Sequence, residues 1–171
     1  MKKVLKYGAV LLALLVLSGA VYQGVRSAAD RTAYPVPGEM VLVDGLDLHL
    51  DCRGLGHPVV LLEAGLTTGS TSWALVQDEI ASFTRVCAYD RPGIDWSEPI
   101  DRTAGPVDVA QRLHRLIEVA GVDGPWVLVG MSAGGVYVRE YFDAYPEGVV
   151  GMVLVDSSHE EQGLRLPSED G

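Results

Sequence analysis

The sequence is poor in positive charge over most of its length, which excludes a large class of partners. Four of the 13 lysines and arginines lie before Asp30, in a stretch without acidic residues, leaving 9 basic against 23 acidic residues in 30–171. That part of the chain therefore carries a formal charge of −14. A surface of this sign cannot neutralise a row of phosphates, so we expect no nucleic-acid partner.

The chain also has few residues that bind metals or cofactors. Its two cysteines and four histidines are scattered, with no pair at ligand spacing, and no phosphate-binding glycine loop follows a strand. We expect no cofactor and no metal. Cys52 and Cys87 each fall in a predicted strand, where small buried thiols are the simpler interpretation. A disulfide between them is the alternative if this part of the chain is exported.

Charged residues are absent from residues 7–25, directly after Lys2, Lys3 and Lys6. A terminal apolar run behind a basic flank predicts a membrane signal rather than a core helix. Its 19 residues are long enough to span, so we favour a retained anchor. Lysines before the span predict a single-pass protein with an extracytoplasmic body. The small residues Ser18-Gly19-Ala20 offer the alternative, a cleaved signal peptide and a secreted protein.

These features predict three parts of the chain. Residues 1–25 are the signal peptide or transmembrane anchor, and residues 26–37, with Pro35 and Pro37, form a linker. Residues 38–171 form one α/β domain. It begins with a hairpin, since residues 40–43 and 46–52 flank the turn pair Asp44-Gly45. Alternation in its second strand places His49 on the polar face, where we expect it to be solvated.

Strands and helices alternate from residue 58 onward. Apolar runs predict strands at 58–62, 85–89, 126–129 and 149–155, and helical periodicity predicts helices at 73–80, 106–120 and 133–145. His114 lies off the apolar stripe of the second helix, so we expect it to be solvated. This order implies a largely parallel sheet with helices on both faces, and a site at the carboxyl ends of its strands.

Ser132 stands at the most informative of these strand ends. Gly130 and Gly134 flank it at two residues on either side, between a buried strand and a helix. A serine on such a sharp turn has a strained backbone that leaves its hydroxyl exposed, and larger flanking residues would collide with the chain. We interpret Ser132 as a nucleophile; a glycine-rich strand–helix turn without chemistry is the alternative.

Three further segments, like this turn, resemble motifs of one known protein family. Residues 62–66 (Leu-Glu-Ala-Gly-Leu) resemble the oxyanion loop of α/β-hydrolases, where His-Gly is more usual than Ala-Gly. Residues 90–97 resemble that family's Asp-Arg-x-Gly-x-Gly-x-Ser loop, with Asp95 in place of a glycine. Residues 154–159 resemble the end of the sixth strand in membrane-anchored or exported members. From about residue 36 onward the chain is similar to an α/β-hydrolase.

The resemblance implies a mostly parallel α/β-hydrolase sheet with an N-terminal antiparallel hairpin, ending after the sixth strand. It implies a serine hydrolase that acts on an ester-like or other small acyl substrate. Ser132 would be the nucleophile, and the backbone amides of Leu66 and Ala133 would form the oxyanion hole. Asp90 would anchor a loop, since carboxylates readily cap turns.

The family places its acid and histidine after later strands, and the printed sequence stops at Gly171. Asp156 is the candidate acid and His159 the candidate base within it. Because a serine without a base is a poor nucleophile, we expect weak or no activity from this chain alone. The alternative function is a non-catalytic, hydrolase-fold binding protein at the membrane. The sixth strand would form an open sheet edge, which predicts self-association.

Overall fold

The computed structural model describes residues 2–162, and the chain divides between Pro37 and Gly38 into two compact units. The first contains one helix, α1 (Lys2–Ala33). Within it, Lys6–Asp30 has a mean hydropathy of 1.9 and is long and apolar enough to cross a membrane, by length and composition. A signal sequence would meet the same criteria.

The helix α1 extends beyond the predicted anchor. The segment 26–37, predicted as a linker, is helical up to Ala33. Residues 26–33 contain neither glycine nor proline, and Arg26 and Asp30 form an ion pair of 3.6 Å one helical turn apart. Pro35 disfavours the helical conformation at the residue before it, which accounts for the helix end.

The second unit contains a six-stranded sheet in the order β1-β2-β4-β3-β5-β6. The strands are β1 (Glu39–Val43), β2 (Leu46–Arg53), β3 (Val59–Glu63), β4 (Val86–Tyr89), β5 (Trp126–Met131) and β6 (Val149–Val155). The pairs β1–β2 and β2–β4 are antiparallel and the others parallel. Asp44 and Gly45 have φ values of 50° and 82°, which fits the tight turn predicted for the hairpin.

Helices cover both faces of this sheet. They are a 3-10 helix (Ser70–Trp73), α2 (Gln77–Ala81), α3 (Pro106–Val119) and α4 (Gly134–Ala144). The helix predicted at 73–80 is thus replaced by two short helices. The apolar stripe of α3 is buried as predicted, at Val109, Leu113, Leu116 and Ile117. His114, expected in solvent, is half-buried and its ring stacks on Tyr145 with 3.9 Å between centroids.

The two cysteines form a disulfide between neighbouring strands. Cys52 on β2 and Cys87 on β4 are directly opposed across the antiparallel pair, with 4.0 Å between their Cα atoms. The simpler interpretation of two buried thiols is therefore wrong. Sequence alone left this open because the pairing depends on strand register.

The far edge of the sheet is formed by β6, which is paired on one side by β5 within the described residues. Apolar side chains along it are exposed, among them Val150 at 62% and Val153 at 49%. By contrast, all five residues of β3 in the centre of the sheet are buried.

Candidate functional site

Ser132 occupies the turn between β5 and α4 with a left-handed backbone. Its φ is 53°, a conformation that residues other than glycine rarely adopt. The end of β6 holds this turn from two sides: the Ser132 amide donates to the Val155 carbonyl at 3.1 Å, and the Ser158 amide donates to the Ser132 carbonyl at 2.9 Å. The Ser132 side chain is exposed, and its hydroxyl makes no hydrogen bond within residues 2–162.

The flanking glycines are required by close packing of backbone on backbone. A Cβ on Gly130 would lie 2.6 Å from the Gly134 carbonyl oxygen, and a Cβ on Gly134 would lie 2.7 Å from the Ala64 carbonyl oxygen. Both distances are shorter than a van der Waals contact. The spacing found in the sequence therefore has the predicted physical cause, and it brings the end of β3 against the first turn of α4.

Two backbone amides beside Ser132 have no acceptor. Neither the Leu66 amide nor the Ala133 amide donates a hydrogen bond to any described residue. Gly65 places its peptide next to the serine, since a Cβ on Gly65 would lie 3.5 Å from the Ser132 Cβ. Ala133 immediately precedes α4, so the partial positive charge of a helix N-terminus adds to this position. Such an arrangement can bind an anion or a developing oxyanion.

A buried ion pair lies beneath the loop that carries Leu66. Glu63 and Arg91 are 1% and 8% exposed and bond to each other, and the Tyr89 hydroxyl donates to the same carboxylate. Burial raises the pKa of Glu63, against the opposing effect of Arg91 and Tyr89. Sequence reasoning missed this pair because its members are far apart in the chain and neither matches a motif for an ion pair.

Asp90 anchors the loop after β4, as predicted. It is fully buried, and its carboxylate accepts hydrogen bonds from the amides of Ser70 at 2.6 Å and Trp96 at 3.3 Å. It also lies 2.8 Å from Nδ1 of His49. Burial disfavours the charged carboxylate, but the hydrogen bonds from His49 and Ser70 outweigh it and lower the pKa of Asp90 below 3.8.

The expectation that His49 is solvated is wrong. The residue is 0% exposed, and its ring packs against Trp96 with 4.7 Å between centroids. The 90–97 loop covers the face of β2 that the alternation pattern indicates as polar. His49 does not serve Ser132 in place of the expected base, because it lies on β2 and the strand order puts β4 and β3 between β2 and β5. Three strand spacings, about 14 Å, separate the two strands.

Asp95 stands at the position where the resemblance leads us to expect glycine. Its φ of 42° is left-handed, so the backbone there has the glycine-like conformation. Its carboxylate accepts a hydrogen bond from the Thr71 hydroxyl at 2.8 Å. Aspartate tolerates this conformation better than most residues, so the departure from the motif keeps the shape of the loop.

Asp156 lies beside Ser132, since it falls between Val155 and Ser158, which both bond to the Ser132 backbone. Its side chain is exposed and makes no hydrogen bond within the described part of the chain. His159 is also exposed; its Nδ1 accepts the Glu161 amide at 3.1 Å and lies 3.4 Å from the Glu160 carboxylate. Neither residue bonds to the Ser132 hydroxyl. Within residues 2–162, no cluster of three or more His, Cys, Asp or Glu residues is placed to hold a metal.

Comparison with known proteins agrees with this geometry. A family model described as alpha/beta hydrolase fold matches residues 58–169. An AB hydrolase superfamily protein of Gibberella zeae is 34% identical over 64% of this chain and 35% of its own length. An uncharacterised vacuolar membrane protein of Saccharomyces cerevisiae is 34% identical over 64% of this chain and 18% of its own.

A solved thermophilic esterase from Thermogutta terrifontis superposes with a TM-score of 0.63 at 26% identity, over 70% of this chain and 45% of its own. The chain spans between 15% and 48% of the length of the curated relatives it matches. The family match covers more than half of the chain, and the fold agrees with it. The chain therefore belongs to the α/β-hydrolase fold family.

Proposed function

We propose that this chain carries the nucleophile and oxyanion-binding part of a serine hydrolase, with Ser132 as the nucleophile. One observation carries the proposal: within residues 2–162, an exposed, unbonded serine hydroxyl on a left-handed turn lies beside two backbone amides without acceptors. A turn with no chemical role would have no need of a non-glycine residue at positive φ, because glycine adopts that conformation without strain.

The reaction we propose is acyl transfer from an ester-like small molecule to water. Ser132 Oγ attacks the carbonyl carbon and gives its proton to a general base, which later returns it to the leaving alcohol; the amides of Leu66 and Ala133 stabilise the oxyanion of the tetrahedral intermediate. Collapse of the intermediate expels the alcohol with a proton, and water then releases the acyl group from Ser132. Losing one oxyanion donor typically costs about 10²–10³ in rate. The esterase among the similar structures supports an ester as the first substrate class to test.

Asp156 and His159 are the proposed acid and base among the described residues, and their contacts favour only the first. Asp156 lies beside the turn that carries Ser132, and its carboxylate makes no hydrogen bond within residues 2–162. His159 accepts the Glu161 amide at Nδ1, so its neutral ring carries the proton on Nε2 and cannot take another there. His159 can act as a base through Nε2 only after the Glu161 amide stops donating to Nδ1, because the ring proton can then move from Nε2 to Nδ1. We therefore propose that Ser132 in this chain reacts slowly.

The proposed location is a membrane, with the body on the extracytoplasmic side. The apolar side chains of α1 are exposed, from Val10 at 50% to Tyr7 at 71%, and lysines precede the span. The disulfide supports this side, because disulfides persist in oxidising compartments. Secretion after cleavage of the signal is the alternative. Edman sequencing of the mature chain distinguishes them, since a chain that begins near residue 21 excludes the anchor.

We also propose that the body self-associates through β6. Exposed apolar residues line this edge, and a cavity of about 640 Å³ between it and α4 is bordered by Phe142, Val150 and Met152. Within residues 2–162 no strand pairs with the outer side of β6, so its backbone groups there can pair with a second chain.

Hydrolysis of p-nitrophenyl acetate by the full chain in detergent micelles tests the enzymatic proposal. We expect slow release of p-nitrophenol that Ser132→Ala abolishes. Ser158→Ala is the matched control, because the Ser158 hydroxyl makes no hydrogen bond within residues 2–162 and its amide remains. Equal release by the parent and Ser132→Ala would contradict the proposal and favour the non-catalytic binding protein.

A further inference from the structure

Arg91 makes an unusual set of contacts with the loop after β3. Its guanidinium donates to four backbone carbonyls of that loop: Ala64 at 2.9 Å, Leu66 at 3.0 Å, Thr68 at 3.2 Å, and Gly65. The ion pair with Glu63, the last residue of β3, also holds the guanidinium in place. Four carbonyls on one cation means that the loop curves around it and presents its oxygen atoms to the inside.

This curvature determines where the Leu66 amide points. The carbonyl of Gly65 and the N–H of Leu66 belong to the same peptide unit, which is planar and trans, so the two groups point in opposite directions. Arg91 binds the Gly65 oxygen, and the Leu66 N–H is therefore directed away from Arg91. The Thr68 amide also donates to that oxygen, at 3.3 Å, which holds the same peptide in place.

Arg91 also connects this loop to the helix that carries the second amide. Its guanidinium lies over the ring of Tyr137, 5.1 Å from the centroid, and Tyr137 is in the first part of α4. The loop with Leu66 and the helix after Ala133 thus contact the same cation. We infer that Arg91 is a positioning residue that holds the Leu66 amide in the oxyanion-binding orientation beside Ser132.

The inference rests on the proposed function for its chemical consequence, but the positioning itself is measurable without any reaction. Arginine suits the role because its planar fork carries five donors, whereas lysine has three donors on one nitrogen. Lysine at position 91 could keep the ion pair with Glu63 and could not reach four carbonyls together. Removing the charge altogether would leave Glu63 buried and unpaired, so we expect a neutral variant to destabilise the whole fold for that reason alone.

The experiment compares the parent, Arg91→Lys and Arg53→Lys as full chains in detergent micelles. Arg53 also pairs with carboxylates, Asp51 at 2.6 Å and Asp78 at 2.7 Å, and bonds to no residue of the 64–68 loop. The first measurement is ¹⁵N relaxation of Gly65, Leu66 and Thr68. We expect order parameters near 0.85 in the parent and Arg53→Lys, and below about 0.6 in Arg91→Lys. Unchanged values in Arg91→Lys would overturn the inference.

The second measurement is the rate at which a fluorophosphonate probe labels Ser132. We expect Arg91→Lys to label about 10²-fold more slowly, the loss typical of one oxyanion donor, and Arg53→Lys to match the parent. A mobile loop with an unchanged labelling rate would overturn the link to the oxyanion hole. A parent that is not labelled would contradict the proposed function instead, and the relaxation data would still decide whether Arg91 orders the loop.

Discussion

The two halves of the sheet differ in how their strand ends are held. Around β2, β4 and the loops after β3 and β4, the structure has a disulfide, a buried His49–Asp90 pair and a buried Glu63–Arg91 pair. Around β6, the apolar side chains are exposed and the candidate acid and base, Asp156 and His159, lie in solvent. The bonded half carries the loop that we propose binds the oxyanion, and a donor of this kind must be held in place before the reaction begins.

Reducing the disulfide is the strongest test of the bonded half. Cys52 and Cys87 close a loop across 35 positions of sequence, which in the chain-entropy account stabilises the fold by about 2–4 kcal/mol. We expect reductant to lower the free energy of unfolding by that amount in denaturant titrations. A double variant, Cys52→Ser with Cys87→Ser, should be equally unstable and insensitive to reductant. Two free thiols counted in the unreduced, unfolded chain would contradict the pairing.

Asp90→Asn tests the buried His49–Asp90 pair, for which we expect a smaller loss of stability than for the disulfide. The carboxylate accepts from two amides and pairs with His49, and hydrogen bonds to charged groups contribute about 1.5–3 kcal/mol each. We expect a loss of that order at neutral pH, measured by denaturant unfolding. Asp95→Asn is the control, since Asp95 is exposed and asparagine tolerates its positive φ.

The lowered pKa of Asp90 gives this test a pH dependence. Its stabilisation is present above the ordinary value of 3.8 and is lost as the pH falls through the lower folded value, because the unfolded chain then binds the proton more readily. The free energy of unfolding of the parent should therefore fall more steeply with decreasing pH below about pH 4. In Asp90→Asn this fall should be shallower. If the free energy of unfolding fell equally with pH below about pH 4 in both chains, the lowered pKa of Asp90 would be contradicted.

Gly134→Ala tests the junction between the halves, where α4 meets the end of β3. The added Cβ would lie 2.7 Å from the Ala64 carbonyl oxygen, and backbone atoms cannot move aside as a side chain would. We expect destabilisation of about 1–3 kcal/mol. Gly105→Ala is the control, because its φ is −84° and the nearest atom to the new Cβ is 4.0 Å away. Equal thermal unfolding midpoints would show that the contact is not as tight as described.

Val150→Lys tests the open half and should have the smallest effect on stability. Val150 is 62% exposed on the edge strand, so we expect a change within about 0.5 kcal/mol. If β6 pairs with a second chain, the lysine should shift light-scattering masses of the detergent complex toward the monomer. Leu75→Lys is the control, since Leu75 is 92% exposed and lies outside the sheet. A monomeric parent would contradict self-association.

Local patterns in the sequence predicted much of this fold. The Asp44-Gly45 turn, the apolar stripe of α3 and the small residues around Ser132 each depend on neighbours within a few positions, and the structure agrees with all three. The alternation of strands and helices from residue 58 predicted the largely parallel sheet, and the family resemblance predicted the same sheet type. The extension of α1 into the linker was not predicted, because Pro35 and Pro37 indicate a helix break while the residues just before them are compatible with a helix.

The features that the sequence did not predict depend on contacts between distant segments. His49 looked polar and solvated because a period of two describes one strand and takes no account of the loop that covers it. The sequence shows Arg91 only as one position of a loop motif, although its bonds reach carbonyls more than twenty positions earlier. The disulfide and the Glu63–Arg91 pair likewise follow from strand order and register.

The central claim is that Ser132, on the turn between β5 and α4, is the reactive serine of this chain. Labelling the full chain with a fluorophosphonate probe, followed by peptide mapping of the adduct, tests it most directly. The account predicts one phosphonate per chain, on the peptide that contains Ser132, and none in Ser132→Ala. An adduct on another serine, or equal labelling of Ser132→Ala, would contradict it.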